Sequence, residues 1–219
     1  MLIVWYNMYI NEVVKMLNNK LGITNNIELA KEEERITKIK ALELFDTNKI
    51  NEFEVGTFIG LSKIHEYLFC DIYEFAGKVR TENIAKGSFR FASVMYLDDA
   101  LDKIDKMPQD TFENIIKKYV EMNIAHPFRE GNGRSTRIWL DAILKKEIGK
   151  VVDWSKVDKE EYLLAMERSP IKDTEIKILL ETALTSQIDD RIVYMKGIDM
   201  SYQYEGYNTY SMEELSKYS

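Results

Sequence analysis

Two amphipathic helical patterns meet at Pro127, and the run that joins them constrains this chain more than any other feature. Upstream, Phe112, Ile115, Ile116, Tyr119 and Val120 fall at i, i+3, i+4, i+7 and i+8, which is one apolar face of a helix. Asp110 followed by Glu113 has the spacing of a capping box and predicts where that helix starts. Pro127 disfavours helical backbone at His126, so the helix is expected to end there. Downstream, Ile138, Trp139, Ala142 and Ile143 lead to Lys145 and Lys146, a second helix that Gly149 should close. The connection reads His126-Pro127-Phe128-Arg129-Glu130-Gly131-Asn132-Gly133-Arg134-Ser135-Thr136-Arg137.

A loop that feeds a helix presents unpaired N–H groups and the positive end of the helix dipole, which together attract an anion. Gly131 and Gly133 let the backbone turn tightly and approach phosphate oxygens with no Cβ in the way. Asn132 can donate its side-chain amide to such an oxygen. Arg134 and Arg137 lie three apart on the first turn, so both can face one side. Their guanidinium forks match phosphate geometry. Glu130 is a hard oxygen ligand of the kind that holds Mg²⁺ together with substrate phosphates. His126 is placed to take a proton from an incoming hydroxyl. Singly, a histidine at a helix end, an arginine pair and Gly-x-Gly are ordinary structural features. Gathered in one loop, they predict a site for a metal-bound polyphosphate beside a general base.

This run resembles the signature of the Fic family, His-x-Phe-x-(Asp/Glu)-Gly-Asn-Gly-Arg-x-x-Arg, and every specified position matches. Ile64-His65-Glu66-Tyr67-Leu68-Phe69, with Tyr73-Glu74-Phe75-Ala76-Gly77-Lys78-Val79-Arg80, is similar to the family's upstream block. Lys86-Gly87-Ser88-Phe89-Arg90-Phe91-Ala92 is similar to its substrate-positioning flap. The resemblance covers residues from about 50 to about 206. It implies an enzyme that transfers AMP from ATP to a Ser, Thr or Tyr hydroxyl of a target protein and releases pyrophosphate. By motif position, His126 is then the general base and Glu130 the Mg²⁺ ligand. Gly131, Asn132, Gly133 and Arg134 cradle the phosphates, Arg137 grips the γ-phosphate, and Phe128 anchors the loop in the core. Gly133 favours AMP transfer, because a phosphorylating branch of the family carries Lys there. A nucleotide-binding regulatory module and an AMP-removing enzyme are the alternatives.

Phe89, Arg90 and Phe91 alternate apolar and polar beside Gly87, which reads as a short hairpin edge. Such an edge, spanning Gly87, Ser88, Phe89, Arg90 and Phe91, can recruit an extended target segment by main-chain pairing. Lys86 on the same flap is a further candidate for phosphate contact. Near the C-terminus, Ser201-Tyr202-Gln203-Tyr204-Glu205-Gly206 resembles the family's inhibitory motif, (Ser/Thr)-x-x-x-Glu-(Gly/Asn). The resemblance implies that Glu205 pairs with Arg137 and fills the place of the γ-phosphate. From the residues alone, Ser201 can cap a short helix and Gly206 can end it. Tyr202, Tyr204, Tyr207 and Tyr210 crowd this tail, where they can fasten the terminal helix or accept AMP themselves.

The 219 residues suit one domain with extensions, divided as an N-terminal helical extension (1–48), a catalytic core (49–195) and an inhibitory helix with its tail (196–219). Helical periodicity recurs from Asp98 to Met107, Asp158 to Met166 and Glu175 to Leu184, so the fold class is all-α with a small β-hairpin. A net charge of −7 argues against a general nucleic-acid binder. The single cysteine, Cys70, allows no internal disulfide and fits a reducing cytoplasm. Both Cys70 and His65 read as structural. Met1 to Leu17 lacks a basic leader and cleavage site, and predicts an amphipathic helix against the core or a second subunit. No apolar run reaches the ~18 residues that span a membrane. Residues 24–40, with Lys31-Glu32-Glu33-Glu34-Arg35, read as a solvated helix or connector.

Overall fold

The computed structural model describes residues 17–86 and 89–217. Its helices are α1 (Asn26–Asp46), α2 (Phe58–Phe69), α3 (Leu97–Asp105), α4 (Phe112–Ala125), α5 (Asn132–Ile148), α6 (Lys159–Arg168), α7 (Thr174–Thr182), α8 (Arg191–Tyr204) and α9 (Met212–Leu215). Among the described residues two antiparallel strand pairs interrupt them, the first a hairpin and the second joining strands that lie two helices apart in the chain. β1 (Ala85–Lys86) pairs with β2 (Phe89–Arg90) in the register Ala85↔Arg90. β3 (Val151–Val152) pairs with β4 (Leu184–Thr185) in the register Val151↔Thr185. The all-α class with a small hairpin therefore holds, and β3–β4 is an addition, too short for period-two alternation to announce. Gly87, Ser88 and residues 1–16, with the amphipathic helix expected there, lie outside the described residues.

Several helices begin where a short polar side chain satisfies the first amides, whereas α5 starts after Gly131 with no side-chain cap. Asn25 accepts from the N–H groups of Ile27 and Glu28, Thr57 from Gly60, Asp158 from Glu160 and Glu161, and Asp190 from Ile192 and Val193. The start of α4 differs from the expected box. Thr111, extended at φ −129°, accepts from the Asn114 N–H at 3.3 Å, while Asp110 accepts from the Asn114 side-chain amide at 2.8 Å. The residue next to the helix wins because its oxygen needs no detour. At its far end α4 stops before His126, and α5 closes at a left-handed Gly149, both as the sequence requires.

Helix α5 occupies the middle of the core. Trp139, Leu140, Ile143 and Leu144 are fully buried and it packs against α2, α4 and α8. Helix α1 lies across α2 and α8, and this overturns the solvated reading of residues 24–40. Glu33, Glu34, Thr37 and Lys38 are all buried, because the polar stripe of α1 faces the site and the C-terminal tail rather than water. Ser201 likewise does not cap a short helix; it lies inside α8, which begins ten residues earlier at Arg191. Among the described residues no helix is long and apolar enough to cross a membrane.

The corrected cap gives a stability prediction. Thr111→Ala should cost about 1 kcal/mol in chemical denaturation, with Asp110→Ala near neutral. The reverse ranking would restore Asp110 as the cap.

Candidate active site

Helix α4 delivers His126 in the left-handed region, at φ +48°, an unusual place for a residue with a Cβ. Its N–H donates to the Met122 carbonyl at 3.0 Å, and its ring stacks on Phe91 of the flap at 3.6 Å between centroids. Nδ1 lies 3.3 Å from the Asn123 carbonyl oxygen. Phe128 is fully buried, stacked on His65 at 3.8 Å and packed near Phe58. Gly131 turns the chain at φ +78°, and a Cβ there would come within 2.4 Å of the Phe69 ring.

Asn132 does not reach outward. Its Oδ1 accepts from the Phe128 N–H and its Nδ2 donates to the Phe128 carbonyl, both at 2.8 Å. Both polar atoms of the side chain thus close the loop on itself, which gives Asn132 a structural role. His65 braces the same loop from beneath. Its Nδ1 accepts from the Gly77 N–H at 2.9 Å, which leaves Nε2 to donate to the Glu130 carbonyl at 2.8 Å. Burial pushes this imidazole down to about 3, so it is neutral at physiological pH and serves as a fixed donor and acceptor.

The two arginines of the motif part company. Arg134 is buried beneath the loop, where Nη1 donates to Glu33 at 2.7 Å and Nη2 to Glu130 at 3.0 Å. Its guanidinium lies over the rings of Phe69, Tyr202 and Tyr207, the last at 4.6 Å. Arg134 therefore does not share a face with Arg137. Glu130 accepts from Arg134 and from the Gly131 N–H through Oε1, while its side chain keeps 41% exposure. Desolvation raises its carboxyl pKa against the opposing pull of Arg134. One half-exposed carboxylate at the lip of an anion site suits Mg²⁺ shared with phosphates. Among the described residues no cluster of three His, Cys, Asp or Glu could hold a metal by itself.

Arg137 is 3% exposed and meets α8. Nε donates to the Ser201 hydroxyl at 2.7 Å, and Nη2 donates to the Ser201 carbonyl and to Glu205 Oε1, each at 2.8 Å. The same carboxylate oxygen lies over Gly133, where an added Cβ would be 2.2 Å from it. A negative charge thus sits at the N-terminus of α5, against its glycine and its arginine. That is the place where the loop's chemistry calls for an anion.

The tail is fastened on both sides of Glu205. The Tyr202 hydroxyl donates to Thr37 Oγ1 at 2.7 Å, that of Tyr204 to the Val157 carbonyl at 2.8 Å and that of Tyr207 to Glu33 at 2.8 Å. The Gly206 N–H donates to the Gln203 carbonyl at 3.0 Å as the helix ends. Farther on, Glu34 accepts from the N–H groups of Thr209 and Tyr210, and Lys38 donates to Asp199 at 2.9 Å and to the Tyr210 carbonyl. Glu33, Glu34 and Lys38 were not expected at the site, because a charge run gives no local sign of which face will be covered. Phe89 and Phe91 meet edge to face at 5.1 Å, and Arg90 is exposed. Cys70 is half-buried at the end of α2, and burial raises its thiol pKa, which makes it a poor nucleophile.

Known proteins resemble this chain in sequence and in fold. The sequence profile of the Fic/DOC family matches residues 59–144 of this chain. The chain is 28% identical over 225 aligned residues to the protein adenylyltransferase VbhT of Bartonella schoenbuchensis, covering 91% of this chain and 46% of that protein. It thus spans about half the length of that relative. It is 27% identical to a probable protein adenylyltransferase, y4lH, of Sinorhizobium fredii, covering 70% of this chain and 83% of that one. The crystal structure of the BepC protein of Bartonella tribocorum with bound AMPPNP superposes with a TM-score of 0.64 at 22% identity, covering 80% of this chain and 95% of that one. That likeness establishes the fold.

The buried imidazole gives a pH prediction. His65 binds a proton far less readily folded than unfolded, where an ordinary imidazole titrates near ~6.5. Its contribution to stability is therefore present above that pH and is lost progressively as the pH falls towards the folded value of about 3. NMR titration should show the His65 ring neutral at pH 5; a ring that protonates near pH 6 there would contradict the assignment.

Proposed function

We propose that this chain is a protein adenylyltransferase held in check by its own α8, moving AMP from ATP to a hydroxyl of a target protein. The observation that carries this reading is the Glu205 carboxylate on Arg137 and against Gly133, where it occupies an anion position at the head of α5. The names of the sequence relatives point the same way, as does the nucleotide analogue bound by a protein of the same fold.

With Glu205 withdrawn, Arg137 presents its Nη2 to the terminal phosphate of ATP while Nε stays on Ser201, and the amides at the start of α5 face the remaining phosphate oxygens. Glu130 would hold Mg²⁺, which would supply charge neutralisation to the phosphates. The target hydroxyl, brought along the flap, loses its proton to His126 as its oxygen bonds to the α-phosphorus. The bond from that phosphorus to the bridging oxygen of the β-phosphate breaks, and pyrophosphate leaves with the electron pair. Such a transfer asks the protein chiefly for position and electrostatics. The loop provides position through Phe128, Asn132, His65 and Arg134, none of which needs to touch the reacting atoms.

The brake follows from the energetics of burial. Arg137 is inside the core and stays charged, so an anion beside it is strongly favoured. Carboxylate and phosphate compete for one guanidinium. Glu205→Gly should raise the rate of AMP transfer strongly, and His126→Ala in that background should lower it by at least about 10²-fold with ATP binding retained. Labelled-ATP incorporation into protein measures both. Wild-type activity equal to that of Glu205→Gly would remove the brake, and an active His126→Ala would remove the base.

A further inference from the structure

Arg80 is a buried guanidinium with an unusual set of partners. Nε donates to the His126 carbonyl at 2.8 Å and Nη1 to the Glu82 carbonyl at 2.7 Å. Nη2 donates to the carbonyls of Ala92 and Ala125, at 2.5 and 3.2 Å, and the Arg80 N–H donates to the Pro127 carbonyl at 2.8 Å. Among the described residues no carboxylate pairs with it, and burial lowers its pKa. A charge taken out of water and neutralised only by carbonyl dipoles is an expensive way to fill a core.

What those carbonyls belong to is informative. Ala125 and His126 are the last residues of α4 and its cap, whose carbonyls have no helical partner and lie at the negative end of the dipole. Glu82 precedes β1 and Ala92 follows β2, so they are the two feet of the flap. One planar fork thus ties both feet to the backbone of the residue that carries the imidazole. The left-handed backbone of His126 is otherwise disfavoured for a residue with a Cβ, and needs support from its surroundings. A second tie runs from the Ala92 N–H to the Ile124 carbonyl at 3.0 Å.

We infer that Arg80 is a positioning residue which sets the register between the target-bearing flap and the His126 imidazole. The inference rests on the transferase reading, since the flap then carries the hydroxyl and His126 receives its proton. Arg80 does not touch the nucleotide site. Its loss should misplace acceptor against base while leaving the phosphate cradle intact. Lysine keeps the charge and the apolar stem but lacks the fork, so it can serve only part of the set.

The test uses the full chain in the Glu205→Gly background, with Arg80→Lys and Arg80→Gln, and ATP labelled on its α-phosphate in the presence of cell extract. Calorimetric titration gives the ATP stoichiometry and affinity, and label on protein gives the rate per bound ATP. Both variants should bind one ATP per chain with unchanged affinity and transfer about 10–10²-fold more slowly per bound nucleotide. Amide exchange should accelerate in the segment 82–92 and stay at parental rates in α5. A transfer rate per bound ATP equal to that of the parent would overturn the inference. So would stoichiometry and rate falling in proportion, the mark of partial unfolding. If the Glu205→Gly parent places no label on protein, the transferase reading fails, and the exchange data then judge the flap–His126 tie on their own: unaltered exchange at 82–92 sinks it.

Discussion

A positive charge that cannot be discarded lies at the centre of this molecule. Arg137 is 3% exposed, on the first turns of the most buried helix, and a guanidinium keeps its proton in any protein interior. Something must answer that charge, and in the structure Ser201 and Glu205 of α8 do so. The closure of α8 over α5, the glycine at position 133 and the course of the tail all follow from this demand. A Cβ at 133 would displace the Glu205 oxygen, so the glycine is what admits the carboxylate, and under the proposed function the same room would take a phosphate.

A second layer of charge beneath the loop does different work. Arg134 and Glu33 form a buried pair that reaches the half-exposed Glu130, roofed by Tyr202 and Tyr207, with Tyr73 donating to Glu33 from the other side. Buried networks of this kind gain from being almost fully satisfied and lose heavily when one member is removed. Only Arg134 Nε is left without a partner among its buried polar atoms. The network makes the loop a rigid floor and joins it to α1 and the tail, so that the site and its cover share supports. Residues of one motif thus divide into a scaffold (Phe128, Asn132, Arg134) and a face turned to the anion position (Gly133, Arg137).

The helix ends around the loop were legible in the sequence because they are local. A proline after His126 and a glycine at 149 act within a turn of where they stand, and the apolar faces of α4 and α5 follow from period alone. The capping residue is not legible to the position, because Asp110 and Thr111 offer similar oxygens and only backbone direction separates them. The Arg137–Glu205 contact could be named in advance only through resemblance to a family, since nothing in the spacing of 68 residues brings the two together. Glu33, Glu34, Lys38 and Arg80 were opaque for a related reason. Charged side chains look solvated until the surfaces that cover them are known, and those surfaces come from distant parts of the chain.

In the proposed function a nucleotide's terminal phosphate and the Glu205 carboxylate compete for Arg137. A crystal structure of the Glu205→Gly chain with a non-hydrolysable ATP analogue and Mg²⁺ tests this most directly. The terminal phosphate should be hydrogen-bonded to the Arg137 guanidinium, in the space the carboxylate now fills beside Gly133. A nucleotide bound elsewhere, with Arg137 still turned to Ser201 alone, would contradict it.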